Sequence, residues 1–373
     1  MPHAKIEAAT IYVASITNKT KWIFVELRLT SGLHGWGEAT AQGLEDTVTD
    51  VFRAVSPLLK GRDAQDVLST VGTLELPTLA HASVASALDQ AAWDVIARQR
   101  DVTVAEALGG EGRGSVLTYA NINRRTVDRS PEGFARSAAE ATAGGHEAVK
   151  IAPFDEVTPD VRNAGEALAK VERGLERMRA VRSQIGPDRR LMIDCHWRLD
   201  LSSSRLVIDA AAEAGLYWVE CPIPEIDDNL GDIRALRHYA NRRGVRLAGC
   251  EQMIRLNGFR PYLATGVYDV IMPDVKYAGG LQEFLKIADQ AARDGVQVSP
   301  HNPSGPISHA MSLQLCSVLG ADSFLEMQFA ETPLFETLQS PPLPVAIGGR
   351  IALANGVGAG MELAADILNE ISF

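Results

Sequence analysis

Long apolar runs are missing from this chain: none approaches the roughly 20 residues that a membrane-spanning helix needs. The N-terminus also lacks the basic-then-apolar pattern of a secretory signal, so the expectation is a cytoplasmic protein with no membrane contact. Cysteine is scarce. Only Cys195, Cys221, Cys250 and Cys316 occur in 373 residues, and none stand at metal-ligand spacing. They read as reduced, buried small residues rather than a disulfide framework. Positive charge is in deficit, 36 Lys and Arg against 47 Asp and Glu, for a formal net charge of −11. That balance argues against nucleic acid and anionic membranes as partners, since both demand basic patches. An anionic small molecule would have to be attracted locally, by a metal ion and a few basic side chains.

What is present is an ordinary globular composition, 46% hydrophobic and 22% charged, enough for a sizeable core. The length exceeds the roughly 250 residues of a β/α barrel alone and predicts a second unit. Residues 1–112 read as that unit. Ala9-Thr10-Ile11-Tyr12-Val13 and Trp22-Ile23-Phe24-Val25-Glu26-Leu27-Arg28-Leu29 alternate like antiparallel strands around a polar Thr17-Asn18-Lys19-Thr20 break. A Gly-rich turn at Ser31–Glu38 follows, and the pattern is then helical until Gly109-Gly110. Residues 113–335 alternate short apolar strands with amphipathic helices. The strand candidates are 116–121, 147–152, 190–194, 216–220, 246–250, 269–273, 296–300 and 323–326, which predicts an eight-stranded parallel barrel or a close variant. The charged gap from Asp155 to Arg190 calls for an extended or doubled helix. Residues 336–373 return to short strand and Gly-rich turn and are expected to fold back on the first unit.

Three of these strands share one ending. Leu191-Met192-Ile193-Asp194, Tyr217-Trp218-Val219-Glu220 and Arg246-Leu247-Ala248-Gly249-Cys250-Glu251 each close on a carboxylate. The C-terminal ends of parallel barrel strands open on the mouth where such folds keep their chemistry. Three acids meeting there repel one another unless a cation neutralises them, and hard oxygen ligands favour Mg²⁺, one ion per subunit. Strand alternation would turn Cys195, Cys221 and Cys250 away from it.

Further residues reach the same mouth. Met272-Pro273-Asp274 and Ser299-Pro300-His301 end adjacent strands, so Asp274 can fix the tautomer of the His301 ring and raise its basicity. His196 lies two residues past Asp194 on the same face, and Lys150 stands in an otherwise apolar strand, where burial without a partner is costly. Glu326 ends the eighth strand. Asn121, Asn123, Arg124, Arg198 and Lys276 are candidates for substrate hydroxyls or carboxylate, although a solvated rim explains each equally well. His309 reads as structural, at the start of a helix.

These residues resemble the enolase superfamily, and within it the mandelate racemase subgroup. Gly35-Trp36-Gly37-Glu38-Ala39 and Ala91-Ala92-Trp93-Asp94 are similar to signature turns of that family's capping domain. Asp194, Glu220 and Glu251 match its metal ligands, Asp274 and His301 its Asp-His dyad, and Glu326 its strand-eight acid. The resemblance implies a modified (β/α)₇β barrel under an α+β cap, Mg²⁺, abstraction of the proton α to a carboxylate, and a symmetric homo-oligomer. It departs at one point. Where the subgroup often carries Lys-x-Lys, with the second lysine a base, this chain reads Lys150-Ile151-Ala152. Asp194-Cys195-His196 and His301-Asn302-Pro303-Ser304-Gly305-Pro306-Ile307 instead resemble segments of sugar-acid dehydratases.

The leading expectation is a dehydratase turning an aldonate or aldarate into a 2-keto-3-deoxy acid. His301 would be the base and His196 the acid, with Glu326 bonding the substrate carboxylate and Lys150 beside it. The rivals are a racemase or epimerase of an α-hydroxy or amino acid, with Lys150 and His301 on opposite faces, and a silent metal-binding scaffold.

Overall fold

The computed structural model describes residues 4–18, 20–112, 114–158, 164–320, 323–354 and 356–371, so Lys19 of the polar break lies outside the described residues. Strands β1 (Ile6–Ser15), β2 (Lys21–Leu29) and β3 (His34–Glu38) form an antiparallel sheet in that order. Against β3 lies the helix Leu79–Arg100, started by the Thr78 side chain accepting from the His81 backbone N–H and ended by left-handed Asp101 at φ 57°. The helix is rich in Ala and Ser because the approach is close. A Cβ at Gly37 would stand 1.9 Å from the Ala87 carbonyl oxygen, and one at Gly35 2.5 Å from that of Ala91. The Gly-Trp-Gly motif is thus a packing requirement of this helix on this sheet.

The barrel strands are β4 (Ser115–Asn121), β5 (Ala148–Ile151), β6 (Arg190–Asp194), β7 (Trp218–Glu220), β8 (Arg246–Gly249), β9 (Val270–Ile271), β10 (Gln297–Val298) and β11 (Phe324–Gln328). Neighbours pair in parallel, and β11 returns beside β4. A helix of 10 or more residues follows each of β4 to β10 and none follows β11, giving the modified (β/α)₇β arrangement. Between β10 and β11 the barrel closes through Glu326 N–H donating to Pro300 O at 3.4 Å and Ser299 Oγ donating to Phe324 O. The interior is filled rather than open: Tyr119 meets Trp218 and Phe324 edge-on at 5.5 and 5.0 Å between centroids. Strands β9 and β10 are shorter than expected because Pro273 and Pro300 interrupt the ladder, lacking an N–H to donate. Among the described residues of the charged gap after β5 there is one long helix, Ala164–Ile185.

The tail divides between the two parts. Strands β12 (Gln339–Ser340) and β14 (Glu362–Leu363) pair with each other, Ala359 N–H donates to Asp94 at 2.8 Å, and Glu362 pairs with Arg98. Strand β13 (Arg350–Ala352) instead joins β4 of the barrel antiparallel, an addition the sequence did not suggest. The turn that reverses the chain into it needs left-handed Gly348 (φ 55°) and Gly349 (φ 73°). Among the described residues, no helix is long and apolar enough to cross a membrane.

Candidate active site

In-register pairing sets Asp194 opposite Glu220 at the ends of β6 and β7. Each acid sits at a left-handed step of backbone: His196 (φ 47°) and Trp197 (φ 57°) follow Asp194, Cys221 (φ 44°) follows Glu220, and Cys250 (φ 73°) precedes Glu251. All four cysteines are free and buried, as expected. The Cys250 step is pinned by its N–H donating to Glu225 Oε1 at 2.6 Å.

Asp194, Glu220 and Glu251 are all buried and bring one carboxylate oxygen each within 4.8 Å of the others. Burial pushes the Glu220 and Glu251 carboxyls up, since neither can stay charged cheaply beside the other acids. Burial would raise Asp194 as well, but the His196 ring and backbone N–H and the Lys150 charge together offset it and hold that carboxyl low. The His196 Nε2 stands 2.7 Å from Asp194 Oδ2, and its pKa is raised to about 9 by that charge. Glu251 Oε2 is buried and makes no hydrogen bond. A divalent cation fits this donor set: three hard oxygens, mutual repulsion to relieve, and one orphaned acceptor.

Lys150 is held behind the acids. Its Nζ lies 2.7 Å from Glu220 Oε1 and 2.9 Å from Glu326 Oε1. Desolvation alone would lower its pKa, but those two carboxylates drive it well above the usual lysine range. Lys150→Met should therefore leave two buried, uncompensated carboxylates. We expect urea denaturation of that variant to show a loss of about 3–5 kcal/mol.

The dyad forms at the ends of β9 and β10. His301 Nδ1 donates to Asp274 Oδ2 at 2.8 Å, leaving Nε2 3.6 Å from Glu251 Oε2. Burial opposes charging the ring, yet Glu251 and the bond to Asp274 outweigh it and raise its pKa. Asp274 also accepts from Lys276 N–H at 2.8 Å and Lys276 Nζ at 2.6 Å. From the cap, buried Glu38 accepts the backbone N–H groups of Gly305 and Ser308, both at 2.8 Å, and so fixes the loop that carries His301. Glu38 was visible in the sequence only as part of a turn; nothing local in the chain signals a partner near residue 305.

His309 is structural, as expected. Its Nδ1 accepts from Asn302 Nδ2 at 3.1 Å, and burial pushes its pKa down to about 4. The folded state thus binds this proton less readily than the unfolded chain. Stability from this site is full above about pH 6.5 and declines as pH falls toward 4, by roughly 3 kcal/mol in all. Urea midpoints of His309→Asn measured from pH 7 to 4.5 should fall less steeply than those of the parent.

A cavity of about 600 Å³ opens over these groups, roofed by Thr40, Gln42 and Leu79 from the cap. Lys150, Asp194, His196, Glu251, His301, Asn121, Asn123 and Lys276 all reach its wall. Four expected residues stand elsewhere, among them Glu220, which is fully buried and accepts from Lys150 Nζ at 2.7 Å. Arg198 donates to the carbonyl oxygens of Asp155 and Val157, away from the wall. Glu326 is fully buried behind it, accepting from Asn121 Nδ2 at 2.7 Å and Asn302 N–H at 2.9 Å. Asp274 is likewise buried, behind His301. Trp197, Gln252 and Gln328 line the wall without having been singled out. A larger hollow of about 750 Å³, beside Arg190, Tyr217 and Arg246, lies at the strand starts and holds none of the triad.

Comparison with known proteins bears on the whole chain. Residues 4–109 match the mandelate racemase/muconate lactonizing enzyme N-terminal domain, and residues 133–367 match the enolase C-terminal domain-like family. The D-galactarolactone cycloisomerase of Agrobacterium fabrum is 29% identical over 93% of this chain and 90% of its own. The D-gluconate dehydratase of Thermoproteus tenax is 29% identical over 79% of this chain and 59% of its own. A solved mandelate racemase/muconate lactonizing enzyme of Jannaschia sp. CCS1 superposes with a TM-score of 0.86 at 25% identity, covering 99% of this chain and 98% of that one. With both domain models matched in order and the barrel, cap and buried triad in place, the chain belongs to the enolase superfamily.

Proposed function

We propose that this protein is an Mg²⁺-dependent dehydratase of an acid sugar, giving a 2-keto-3-deoxy acid. The observation that carries the reading is the state of Lys150. Clamped between Glu220 and Glu326, it keeps a buried carboxylate partner in Glu326 even where Glu220 ligates a cation and so is held as an ammonium, and Ala152 occupies the place of a second lysine. Lys276 on the wall is paired with Asp274 and the Tyr277 hydroxyl with Thr40 O, and the two imidazoles beside them suit elimination of water, which needs one base and one acid.

His301 Nε2 takes the α proton as its Nδ1–H bond to Asp274 steadies the imidazolium that forms. The ring must be neutral to do so, and Glu251 would no longer hold it protonated where that carboxylate ligates a cation. His196 enters as the imidazolium, its Nε2 2.7 Å from Asp194 Oδ2, and gives its proton to the departing β-hydroxyl, which leaves as water. The resulting enol tautomerises to the keto acid. A divalent ion on Asp194, Glu220 and Glu251 would stabilise the negative charge that grows on the substrate carboxylate, a contribution of several kcal/mol. Lys150 adds fixed positive charge beside it. Glu326, set back from the wall, acts by holding Lys150 and Asn121 rather than by touching substrate. The expected setting is a cytoplasmic homo-oligomer acting on a small carboxylate.

Keto-acid formation across a panel of aldonates and aldarates with Mg²⁺ tests the reading. His196→Asn separates the steps: α-hydrogen exchange from D₂O should persist within tenfold, and elimination should fall on the order of 10²–10⁴-fold. Exchange in the parent with no keto acid from any acid of the panel would point to racemisation instead.

A further inference from the structure

Every lysine and arginine described on the cavity wall already has a carboxylate partner. Lys150 is bridged by Glu220 and Glu326, and Lys276 is 2.6 Å from Asp274. The third is Arg124, just past the end of β4, whose Nη1 lies 3.2 Å from Glu331 Oε2. That pair stands where the cap meets the barrel: Thr20 of the cap donates to the other oxygen of Glu331, and Arg124 Nη2 donates to Gln42 of the roof at 3.5 Å. The Glu331 side chain is only 6% exposed, so the pair is poorly screened by water. Apart from the acids and the two histidines, the other polar side chains of the wall, Thr40, Gln42, Asn123, Gln252, Tyr277 and Gln328 among them, are neutral.

We infer that Glu331 is a specificity-determining residue, neutralising Arg124 so that the cavity accepts acid sugars with one carboxylate and rejects diacids. The inference rests on the dehydratase reading of the same site and names its substrate class. One carboxylate is provided for at the strand ends, by Lys150 and the triad. The far end of the substrate meets amides and a hydroxyl, which donate to and accept from a run of sugar hydroxyls without needing a charge. A second carboxylate there would lose its hydration, find no unshared cation among the described residues, and face Glu331 across Arg124.

The test compares acids that differ only at the far terminus, gluconate with glucarate and galactonate with galactarate, in Mg²⁺. Keto-acid formation and α-hydrogen exchange from D₂O are both read. In the better-used pair, the monoacid should show a kcat/KM at least tenfold above its diacid. Glu331→Gln, which frees Arg124, should shrink that ratio at least tenfold by raising diacid use. A parent enzyme that uses the diacid as well or better overturns the inference and leaves dehydration standing. Exchange that favours the monoacid with no keto acid formed supports the inference and removes dehydration. Should neither signal appear, thermal-shift titration decides, tighter monoacid binding supporting the inference and tighter diacid binding overturning it. The parent ratio is decisive by itself if the variant does not fold.

Discussion

Replacing His301 by Asn is expected to abolish α-hydrogen exchange and keto-acid formation together, by on the order of 10²–10⁴-fold. Asn retains a side-chain N–H that can replace Nδ1 as donor to Asp274, so the loop carrying it and the thermal midpoint should change little. The loss should appear in kcat, with KM nearly constant, because the ring acts on a proton and not on the resting substrate. Both signals must fall, since exchange and elimination share the first proton transfer. If this variant still exchanged the α hydrogen at the parent rate, the base would have to be sought elsewhere on the wall.

The second large effect concerns the triad. Chelating divalent ions should stop turnover completely, with Mg²⁺ restoring it. Mg²⁺ at a hundredfold its Kd should stabilise the parent by about 2.7 kcal/mol. Glu251→Gln should lose both turnover and that stabilisation. Without metal, however, the sign reverses. Glu251 is buried beside Asp194, its pKa pushed up by burial first and by that neighbour's charge as well, and its Oε2 has no hydrogen bond. Removing the charge should therefore make the metal-free variant more stable than the metal-free parent, on the order of 1 kcal/mol. Equal stability of the two metal-free proteins, measured in urea at neutral pH, would mean that the three acids do not strain one another.

Much of this was legible in the chain because strand and helix alternate at short range. The endings on Asp194, Glu220, Glu251, Asp274 and His301 need only the rule that parallel barrel strands point their C-termini at a common mouth. What stayed hidden depends on contacts between distant segments. Glu38 fixes a loop that begins beyond residue 300, and Gln42 and Leu79 roof the cavity from another part of the molecule. Glu326 read as a wall residue, for a strand-end position says nothing about depth. It is fully buried, its two oxygens taken up by Lys150, Asn121 and Asn302. The shortness of β9 and β10 was in principle readable from Pro273 and Pro300. Strand β13 was not, because an edge pairing leaves no periodic trace in a segment of three residues.

The bond from Glu38 to the loop beyond His301 also bears on how such enzymes can be recombined. A chimera that seats this barrel beneath another relative's lid would keep the His301 loop in place only if an acid were grafted at the end of the third strand. Swapping lids to change substrate range therefore has a fixed seam, and the exchange should be cut on the far side of residue 38.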